Sequence, residues 1–498
     1  MTIQNILKQI GQVGDKEKTQ VYAVGGFVRD QIMKRECKDL DFVVLGNGIE
    51  FGNQVFKALK AKDFVKFEDF NTCQMKLGDY LIEFVGARKE KYPKESRKPE
   101  VKPATLIEDL QRRDFTINAI AMELNKKEFG EIVDLFGGQE DIAKKIIKTP
   151  LEPHEIFEED PLRIMRAIRF ASQLGFRIEE NTYKAIYDTR KRLGIISWER
   201  IRDELIKILL SPQPSIGLRL LYNTKILEII LPELSCLYGF EQKENVGHKN
   251  ILTHTFQVVD QLAEKIEQVK NDLSAQAGKP KKKLTKIDKI LGSLETNWRE
   301  KFKNKENKGL ILFAALLHDI GKAKSKEFQT GKGWTFIDHD IIGAKMSKGI
   351  CLRFKLSNDQ RKYIYKLIRW HYHPVQLNEQ NPSDSAIRRL IVNLGEDLED
   401  LLLLGQADIT SKSYKRREIY LERYDKLKAH LQEVKEKDRL RSFQSPVRGE
   451  EIMKIAGLKP GPEVGKLKKA IEDAILEGKI KNDYKQALEY LKKILLKK

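Results

Sequence analysis

Cysteine and histidine are both scarce in this chain of 498 residues, which contains four cysteines and eight histidines. The cysteines are far apart in sequence and show no metal or disulfide spacing, which argues against a disulfide scaffold. No segment reaches the roughly 18 uninterrupted apolar residues of a membrane span, and the first residues lack the apolar stretch of a signal peptide. We therefore expect a reduced, cytoplasmic protein with no membrane partner.

Acidic residues are outnumbered, with 73 Asp and Glu against 92 Lys and Arg and a net charge of +19. The excess fits a polyanionic partner and fits a lysine-rich proteome composition equally well. A hydrophobic content of 41% excludes a disordered chain. Because 498 residues are too many for one core, three or four domains are expected.

Strand signals are concentrated in residues 1–150, where "VYAVGG", "DFVVLG", "CQMKLGDYLIEFVGAR", "AIAMEL" and "EIVDLFGG" read as strands or hairpin arms. "FVRDQIM" and "FGNQVFKALKAK" read as helices in the same region. Long amphipathic stretches such as "SWERIRDELIKILL" replace the strands beyond residue 150. The predicted fold is α+β, with a mixed head followed by a mostly helical body.

Two acids interrupt an otherwise apolar strand in "DLDFVV". Residues two apart in a strand project to one face, so Asp39 and Asp41 point the same way. Two adjacent carboxylates repel each other, and Mg²⁺ removes that cost because it prefers carboxylate and phosphate oxygens. The pair alone would also fit a solvent-exposed edge strand.

A glycine pair at a strand–helix turn precedes these acids. Gly25 and Gly26 let the backbone approach a triphosphate at a helix N-terminus, and Arg29 adds a phosphate donor. A glycine pair followed at close range by D-x-D resembles the nucleotidyltransferase superfamily that includes DNA polymerase β. "EDLQRRDFTINAIAM", "DLFGGQEDI", "EDPLRIMRAIRFA" and "SWERIRDEL" follow in order. Together they resemble the class II tRNA nucleotidyltransferases, the CCA-adding enzymes, over residues 18–240.

This resemblance implies roles for particular residues. Asp39 and Asp41 would carry catalytic Mg²⁺, and Arg113 and Asn118 would contact the nucleotide and its ribose. Asp160 and Arg163 would read the base, with Arg166 and Arg169 completing the pocket. Cytosine and adenine both present an amine beside a ring acceptor, so an aspartate and an arginine suit both and reject uracil and guanine. Asp160 before Pro161 also fits an ordinary helix cap.

Six of the eight histidines lie between residues 248 and 373. An apolar helix, "LILFAALLHDIGKA", ends in an adjacent His–Asp pair. The pattern resembles the HD phosphohydrolase superfamily, which implies a divalent metal of unspecified identity held by His254, His318, Asp319 and Asp408. His339 and His371 would be the extra ligands of a two-metal version, and Lys322 would lie near a substrate phosphate. His373 would be a bystander or an alternative ligand.

The expected domains are a catalytic head at 1–150, a helical neck at 151–240, an HD domain at 241–415 and a helical tRNA-contact region at 416–498. A lysine-rich insertion is expected within the HD domain at about 265–309. Residues 88–101 match the family's flexible loop, which argues against CC-only addition. Glu83 would be either a third carboxylate or a solvent-facing side chain.

The resemblance implies template-independent addition of CCA to tRNA from CTP and ATP, with release of pyrophosphate. Poly(A) polymerase shares the acid pair and the arginine motifs and is the first alternative. An HD phosphohydrolase with an RNA-binding head is the second alternative.

Overall fold

The computed structural model describes residues 2–91, 100–239, 241–244, 247–276, 301, 304–330, 333–379, 382–410, 414–442, 446–476, 479–481 and 483–495. The central part of the predicted loop at 88–101 and most of the lysine-rich insertion lie outside these residues. Among the described helices, none combines the length and apolar content needed to cross a bilayer.

The head is built on a seven-stranded sheet with the order β3-β4-β5-β2-β1-β8-β9. Its strands are β1 (Val21–Val24), β2 (Asp39–Val44), β3 (Lys62–Phe67), β4 (Thr72–Leu77), β5 (Tyr80–Gly86), β8 (Ile120–Glu123) and β9 (Ile132–Asp134). A separate hairpin pairs β6 (Arg88–Lys91) with β7 (Glu100–Pro103). The head helices are α1 (Ile3–Glu17), α2 (Gly26–Ile32), α3 (Gly48–Leu59), α4 (Leu106–Gln111) and α5 (Gly138–Lys144).

Strand β2 lies in the middle of the sheet, parallel to β5 and antiparallel to β1. One face of β2 is apolar: the ring of Phe42 stacks on Phe84 of β5 at 5.0 Å, and Phe51 of α3 meets Phe84 edge-on at 5.5 Å. On the other face, Val43 packs in a buried cluster with Leu110 of α4. Because side chains alternate along a strand, the acids of β2 share the face of Val43.

The neck is helical. Its helices are α6 (Pro153–Glu159), α7 (Leu162–Leu174), α8 (Glu180–Thr189), α9 (Trp198–Leu209), α10 (Pro214–Asn223), α11 (Leu227–Ile230) and α12 (Pro232–Ser235). The short strands β10 (Ile146–Ile147) and β11 (Arg177–Ile178) pair in parallel. Helix α7 ends at Gly175, whose φ of +69° closes the helix in the left-handed conformation that glycine adopts without strain.

The region predicted as an HD domain contains β12 (Glu241–Glu244), β13 (Gly247–Asn250), α13 (Ile251–Gln276), α14 (Lys305–Leu317), α15 (Lys322–Ser325), β14 (Lys326–Gln329), β15 (Gly333–Phe336), α16 (His339–Arg353), α17 (Asn358–Trp370), α18 (His373–Glu379), α19 (Asp384–Leu394) and α20 (Leu398–Asp408). Every residue of α14 from Gly309 to Leu317 is buried, which explains its uninterrupted apolar run. The helices that follow are α21 (Tyr414–Ser442), α22 (Gly449–Ala456), α23 (Pro462–Leu476) and α24 (Tyr484–Leu495).

The described residues fall into two compact units. One takes its residues from within Met1–Lys283, Gly292–Val375 and Glu399–Arg417, and the other from within Gln376–Leu398 and Glu418–Lys498. Head, neck and most of the HD region thus share one unit, and the predicted domain bounds stay predictions. The second unit has its own small core, in which Val447 and Ile452 pack with Leu467, Ile471 and Leu491.

Candidate active site

Three carboxylates lie close together on β2 and β5. Asp39 and Asp41 are two apart on β2, and Asp41 pairs directly with Glu83 of β5, so their side chains project to one side of the sheet. Burial, followed by the charge of Glu83, raises the pKa of Asp41 to about 6. The amide of Gln74 donates to the carboxylate of Glu83 at 2.6 Å. Glu83 thus lies beside Asp41 and is partly exposed, and its place in the metal site stays a prediction.

Gly25 brings the acids next to the "RRD" motif. Its φ is +69°, a conformation that strains other residues. A β-carbon at this position would be 3.0 Å from Nη1 of Arg113 and 3.9 Å from Oδ2 of Asp41. The backbone conformation therefore favours glycine, and a β-carbon would press on the end of the Arg113 side chain.

A chain of buried polar contacts runs from α2 to α7. Nη1 of Arg29 donates to Oδ1 of Asn118 at 2.8 Å, and Nδ2 of Asn118 donates to Oδ1 of Asp114 at 2.9 Å. Nε of Arg166 donates to the other oxygen of Asp114 at 2.7 Å. Burial alone would raise the pKa of Asp114, but the charge of Arg166 and the bond from Asn118 lower it to about 2. Asp114 was not among the predicted site residues, yet it holds two of them.

Three predicted arginines surround one aromatic ring. The guanidinium carbons of Arg29, Arg166 and Arg169 lie 5.2, 5.6 and 4.2 Å from the ring centroid of Phe170. Nε of Arg169 also lies 2.9 Å from a carboxylate oxygen of Glu204, while burial lowers the pKa of Arg169 to about 10. Phe170 and Glu204, which sequence reasoning missed, thus contact the predicted arginines: Phe170 lies against all three of them, and Glu204 pairs with Arg169.

The predicted base-reading pair is already engaged with protein groups. The guanidinium of Arg163 donates to Glu159 at 2.8 Å and to the carbonyls of Arg112 at 2.8 Å and Ile156 at 3.4 Å. Oδ1 of Asp160 accepts from the backbone N–H of Leu162 at 3.1 Å, the capping contact that the sequence also allows. Three of the five N–H donors of Arg163 are thus used, and the base-reading role of the pair stays a prediction.

The loop predicted at 88–101 begins and ends in the β6–β7 hairpin. The carbonyl of Arg88 accepts from Nε of Arg112 at 2.8 Å, and the backbone N–H of Arg88 donates to Asp109 at 3.4 Å. Asp109 is fully buried and also pairs with Arg112 at 2.6 Å and with Arg113 at 3.0 Å. Burial opposes ionisation of Asp109, but the two arginines hold its pKa below the usual value. The base of the loop and Arg113 therefore share one carboxylate.

A second constellation collects all six predicted HD residues. Among the described residues, two groups have ligand atoms within 4.8 Å of one another: His254, His318 and Asp408, and Asp319, His339 and His371. Asp319 connects them, because Oδ2 lies 3.2 Å from Nε2 of His318 and Oδ1 lies 3.7 Å from Nε2 of both His339 and His371. His373 is in neither group.

The histidine rings are oriented for ligation through Nε2. The Nδ1 atoms of His318, His339 and His371 lie 2.7, 2.8 and 2.7 Å from backbone carbonyls, and Nδ1 of His254 lies 2.8 Å from Thr410 Oγ1. Such contacts fix the ring and leave the other nitrogen for a metal. Burial would lower the pKa of His318, but Asp319 and Asp408 raise it to about 10. This donor set fits divalent cations.

Comparison with known proteins gives three matching family models. They are the poly(A) polymerase head domain at residues 21–148, the probable RNA- and SrmB-binding site of polymerase A at 175–237, and the HD domain at 251–405. The first model contains the carboxylate face, and the third contains five of the six HD residues, the four histidines and Asp319.

Curated relatives match over different lengths. An A-adding tRNA nucleotidyltransferase of Aquifex aeolicus is 38% identical over 46% of this chain, and the match spans 27% of that protein's length. An A-adding tRNA nucleotidyltransferase of Deinococcus radiodurans is 30% identical over 76% of this chain and 77% of its own. A multifunctional CCA protein of Vibrio vulnificus is 31% identical over 78% of this chain and 84% of its own.

The fold resembles solved structures over almost its whole length. The apo form II of a CCA-adding enzyme matches with a TM-score of 0.59 and 23% identity, covering 98% of this chain and 95% of that one.

Proposed function

Because the chain belongs to the tRNA nucleotidyltransferase family, we propose that it adds CCA to the 3′ end of tRNA from CTP and ATP without a template. The observation that carries the proposal is the carboxylate face of Asp39, Asp41 and Glu83 beside Gly25 and Arg113. The net charge of +19 suits a tRNA partner. The activity of the whole chain is part of this proposal, because the match to the Aquifex relative covers only 27% of that protein's length.

The residues present fit magnesium. Asp39 and Asp41 would hold it, because burial and then the charge of Glu83 raise the pKa of Asp41 and a cation would favour its ionised form. Bound there, Mg²⁺ supplies activation of the tRNA 3′-hydroxyl and neutralisation of the pyrophosphate that leaves.

The chain's own groups position the nucleotide. Arg113 and the backbone at Gly25 contact the triphosphate, and the arginines around Phe170 add positive charge that favours it. Asn118, held between Arg29 and Asp114, is placed to meet the ribose. The attacking 3′-oxygen forms a bond to the α-phosphorus, and the bond to the bridging oxygen of pyrophosphate breaks.

Asp160 and Arg163 are proposed to select the base. The carboxylate accepts from the exocyclic amine of cytosine or adenine, and the remaining donors of Arg163 reach the ring nitrogen. Asp160→Asn is therefore expected to lower the preference for CTP over UTP by at least about tenfold, measured as the ratio of kcat/KM values. Asp203→Asn, at an exposed neck carboxylate paired with Arg202, is the matched control. An unchanged ratio in Asp160→Asn would remove this residue from base selection.

The primary test uses three tRNA transcripts that end before CCA, after the first C and after CC. Each is incubated with CTP, ATP or both in the presence of Mg²⁺, and the products are sized on a gel. Addition that stops at CCA supports the proposal. A long ladder of A residues would make the chain a poly(A) polymerase, and addition of C alone would make it a CC-adding enzyme.

A-only addition is the second candidate, because the Aquifex and Deinococcus relatives carry that name. An A-adding enzyme would extend only the transcript that ends in CC, and only with ATP. Asp39→Ala and Asp41→Ala separate every transferase candidate from the remaining alternative, since a phosphohydrolase with an RNA-binding head would keep its main activity in both variants.

We infer a second activity at the HD centre, hydrolysis of a phosphomonoester. Six candidate ligands in two groups joined by Asp319 support it, since two adjacent cations suit phosphate-ester hydrolysis. Nζ of Lys322 donates to Asp319 at 2.8 Å and would be near a phosphate bound to a cation at that ligand. The test is release of p-nitrophenol from p-nitrophenyl phosphate with Mn²⁺, Ni²⁺ or Mg²⁺, and His318→Ala is expected to abolish it.

A further inference from the structure

The hairpin of β14 and β15 leads directly into the HD centre. Phe328 pairs with Trp334 across the two strands, and Lys326 pairs with Phe336. Directly paired residues project to the same side of a sheet, and residues two apart share that side. One face of the hairpin therefore carries four side chains, which we call the aromatic–lysine stripe: Lys326, Phe328, Trp334 and Phe336. The only carboxylate of the two strands, that of Glu327, is on the opposite face.

The outer end of the stripe is open to solvent. Phe328 is 62% exposed and Trp334 is 49% exposed, and their ring centroids are 5.3 Å apart in an edge-on arrangement. Nζ of Lys326 lies 4.3 Å from the centroid of the Trp334 ring. Neighbouring exposed aromatic rings next to an ammonium group are typical of surfaces that stack on nucleic-acid bases and hold phosphates.

The inner end of the stripe reaches the metal ligands. The carbonyl of Phe336 lies 2.8 Å from Nδ1 of His339. Nζ of Lys322 lies 5.8 Å from the centroid of the Phe336 ring and donates to Asp319 at 2.8 Å. Aromatic rings and ammonium groups thus alternate from the exposed end of the stripe to the shared ligand of the two groups.

We propose that the aromatic–lysine stripe binds the unpaired bases of a single-stranded RNA end and directs its terminal phosphate to the HD centre. The proposal rests on the phosphomonoesterase activity inferred above. Single-stranded RNA is favoured over a protein partner because stacking accepts any base, while the lysines and the absence of an acid from this face suit a phosphate backbone. In the reaction, water attacks the terminal phosphorus, the bond to the ribose oxygen breaks, and inorganic phosphate and a free hydroxyl are released.

The test compares two substrates on the full-length protein with Mn²⁺: an RNA tetranucleotide with a 3′-phosphate, and p-nitrophenyl phosphate. The head cannot extend the tetranucleotide, because its 3′ end is blocked and no CTP or ATP is supplied. The readout is the ratio of kcat/KM for the RNA to kcat/KM for p-nitrophenyl phosphate. Phe328→Ala with Trp334→Ala is expected to lower this ratio about 100-fold, roughly tenfold for each lost stacking ring.

Two further variants separate stacking from folding. Phe328→Tyr with Trp334→Phe keeps both rings and is expected to restore most of the ratio. Glu327→Gln with Thr335→Val alters only the opposite face of the hairpin and is expected to keep the wild-type ratio. A ratio that stays at the wild-type value in the double alanine variant would overturn the proposal and leave the stripe as a surface for protein contact.

Failure of the phosphatase itself gives a different result. If the wild type hydrolyses neither substrate, the inferred activity is wrong, and the stripe is then tested by anisotropy of a fluorescein-labelled tetranucleotide. Weaker binding by the double alanine variant, by about tenfold or more, would support the stripe as an RNA-binding surface. Equal binding by the two proteins would overturn it.

Discussion

Asp114→Asn is expected to destabilise the head and to impair nucleotide addition. One oxygen of Asp114 accepts from the backbone N–H of Phe115 at 2.9 Å and from Asn118 at 2.9 Å, and the other accepts from Arg166 at 2.7 Å. An asparagine has one oxygen and one NH₂ in these places. Whichever way its amide is turned, a donor faces a donor in a site that is almost completely buried.

The magnitude follows from that arrangement. Leaving a buried polar group without its partner costs about 1–3 kcal/mol, and the Arg166 side chain, which is 35% exposed, is partly solvated by water. For a domain of this size, about 2 kcal/mol corresponds to a fall of roughly 4–8 °C in melting temperature. Because Asn118 and Arg166 lose their common anchor, kcat/KM for CTP is expected to fall at least about tenfold in the protein that remains folded.

Differential scanning fluorimetry and initial rates of CTP incorporation measure the two effects. Asp203→Asn removes the same charge from an exposed pair with Arg202 and is expected to change the melting temperature by less than about 2 °C. If Asp114→Asn kept the wild-type melting temperature and kcat/KM, the series of hydrogen bonds that joins Arg29 to Arg166 would not be what positions the pocket residues.

Three further predictions concern the acids, the glycine turn and the metal centre. The pKa of Asp41 is raised to about 6, so this carboxylate takes up a proton as the pH falls through that value. Because Mg²⁺ then competes with the proton, the Mg²⁺ concentration needed for half-maximal nucleotide addition is expected to rise about tenfold for each pH unit below 6. Glu83→Gln removes a neighbouring negative charge and is expected to move that midpoint to lower pH; an unmoved midpoint would contradict the assignment. Gly25→Ala would place a β-carbon 3.0 Å from Arg113 and is expected to raise the KM for CTP at least about tenfold. The control is Gly175→Ala, which has the same φ of +69° but no atom within 4 Å of its β-carbon, and it is expected to lower only the melting temperature. Asp319→Asn is expected to remove at least one bound Mn²⁺ per chain, counted by elemental analysis after gel filtration, and a wild-type count would contradict the shared-ligand arrangement.

The sequence predicts the central strands and the acid pair well, because alternation of apolar residues and the turn at Gly25 are local signals. It misses β3, whose residues are mostly exposed and carry no apolar alternation. It also misses α1, although Ile6, Leu7 and Ile10 have the spacing of one buried helical face.

Other parts of the site depend on contacts that are remote in sequence. The role of Glu83 follows from the parallel register of β5 on β2, which no local pattern determines. Asp114 contacts Arg166, which is 52 positions away in the sequence. The "RRD" motif draws attention to Asp114 but does not predict this contact. The proximity of the six HD residues is predicted better, because each stands at or near the end of a recognisable helix and has a side chain that can ligate a metal.

The sharing of Asp109 between the base of the loop at 88–101 and Arg113 has a thermodynamic consequence. Because both groups contact the Asp109 carboxylate, a change in the Arg88 contact is expected to change the restraint on Arg113, and a ligand that draws Arg113 away is expected to change the restraint on Arg88. Linkage is reciprocal, so the factor by which the Arg88–Asp109 contact changes the affinity for a ligand at Arg113 must equal the factor by which that ligand changes the contact. Hydrogen exchange at the Arg88 N–H and the affinity for that ligand would then report one coupling free energy.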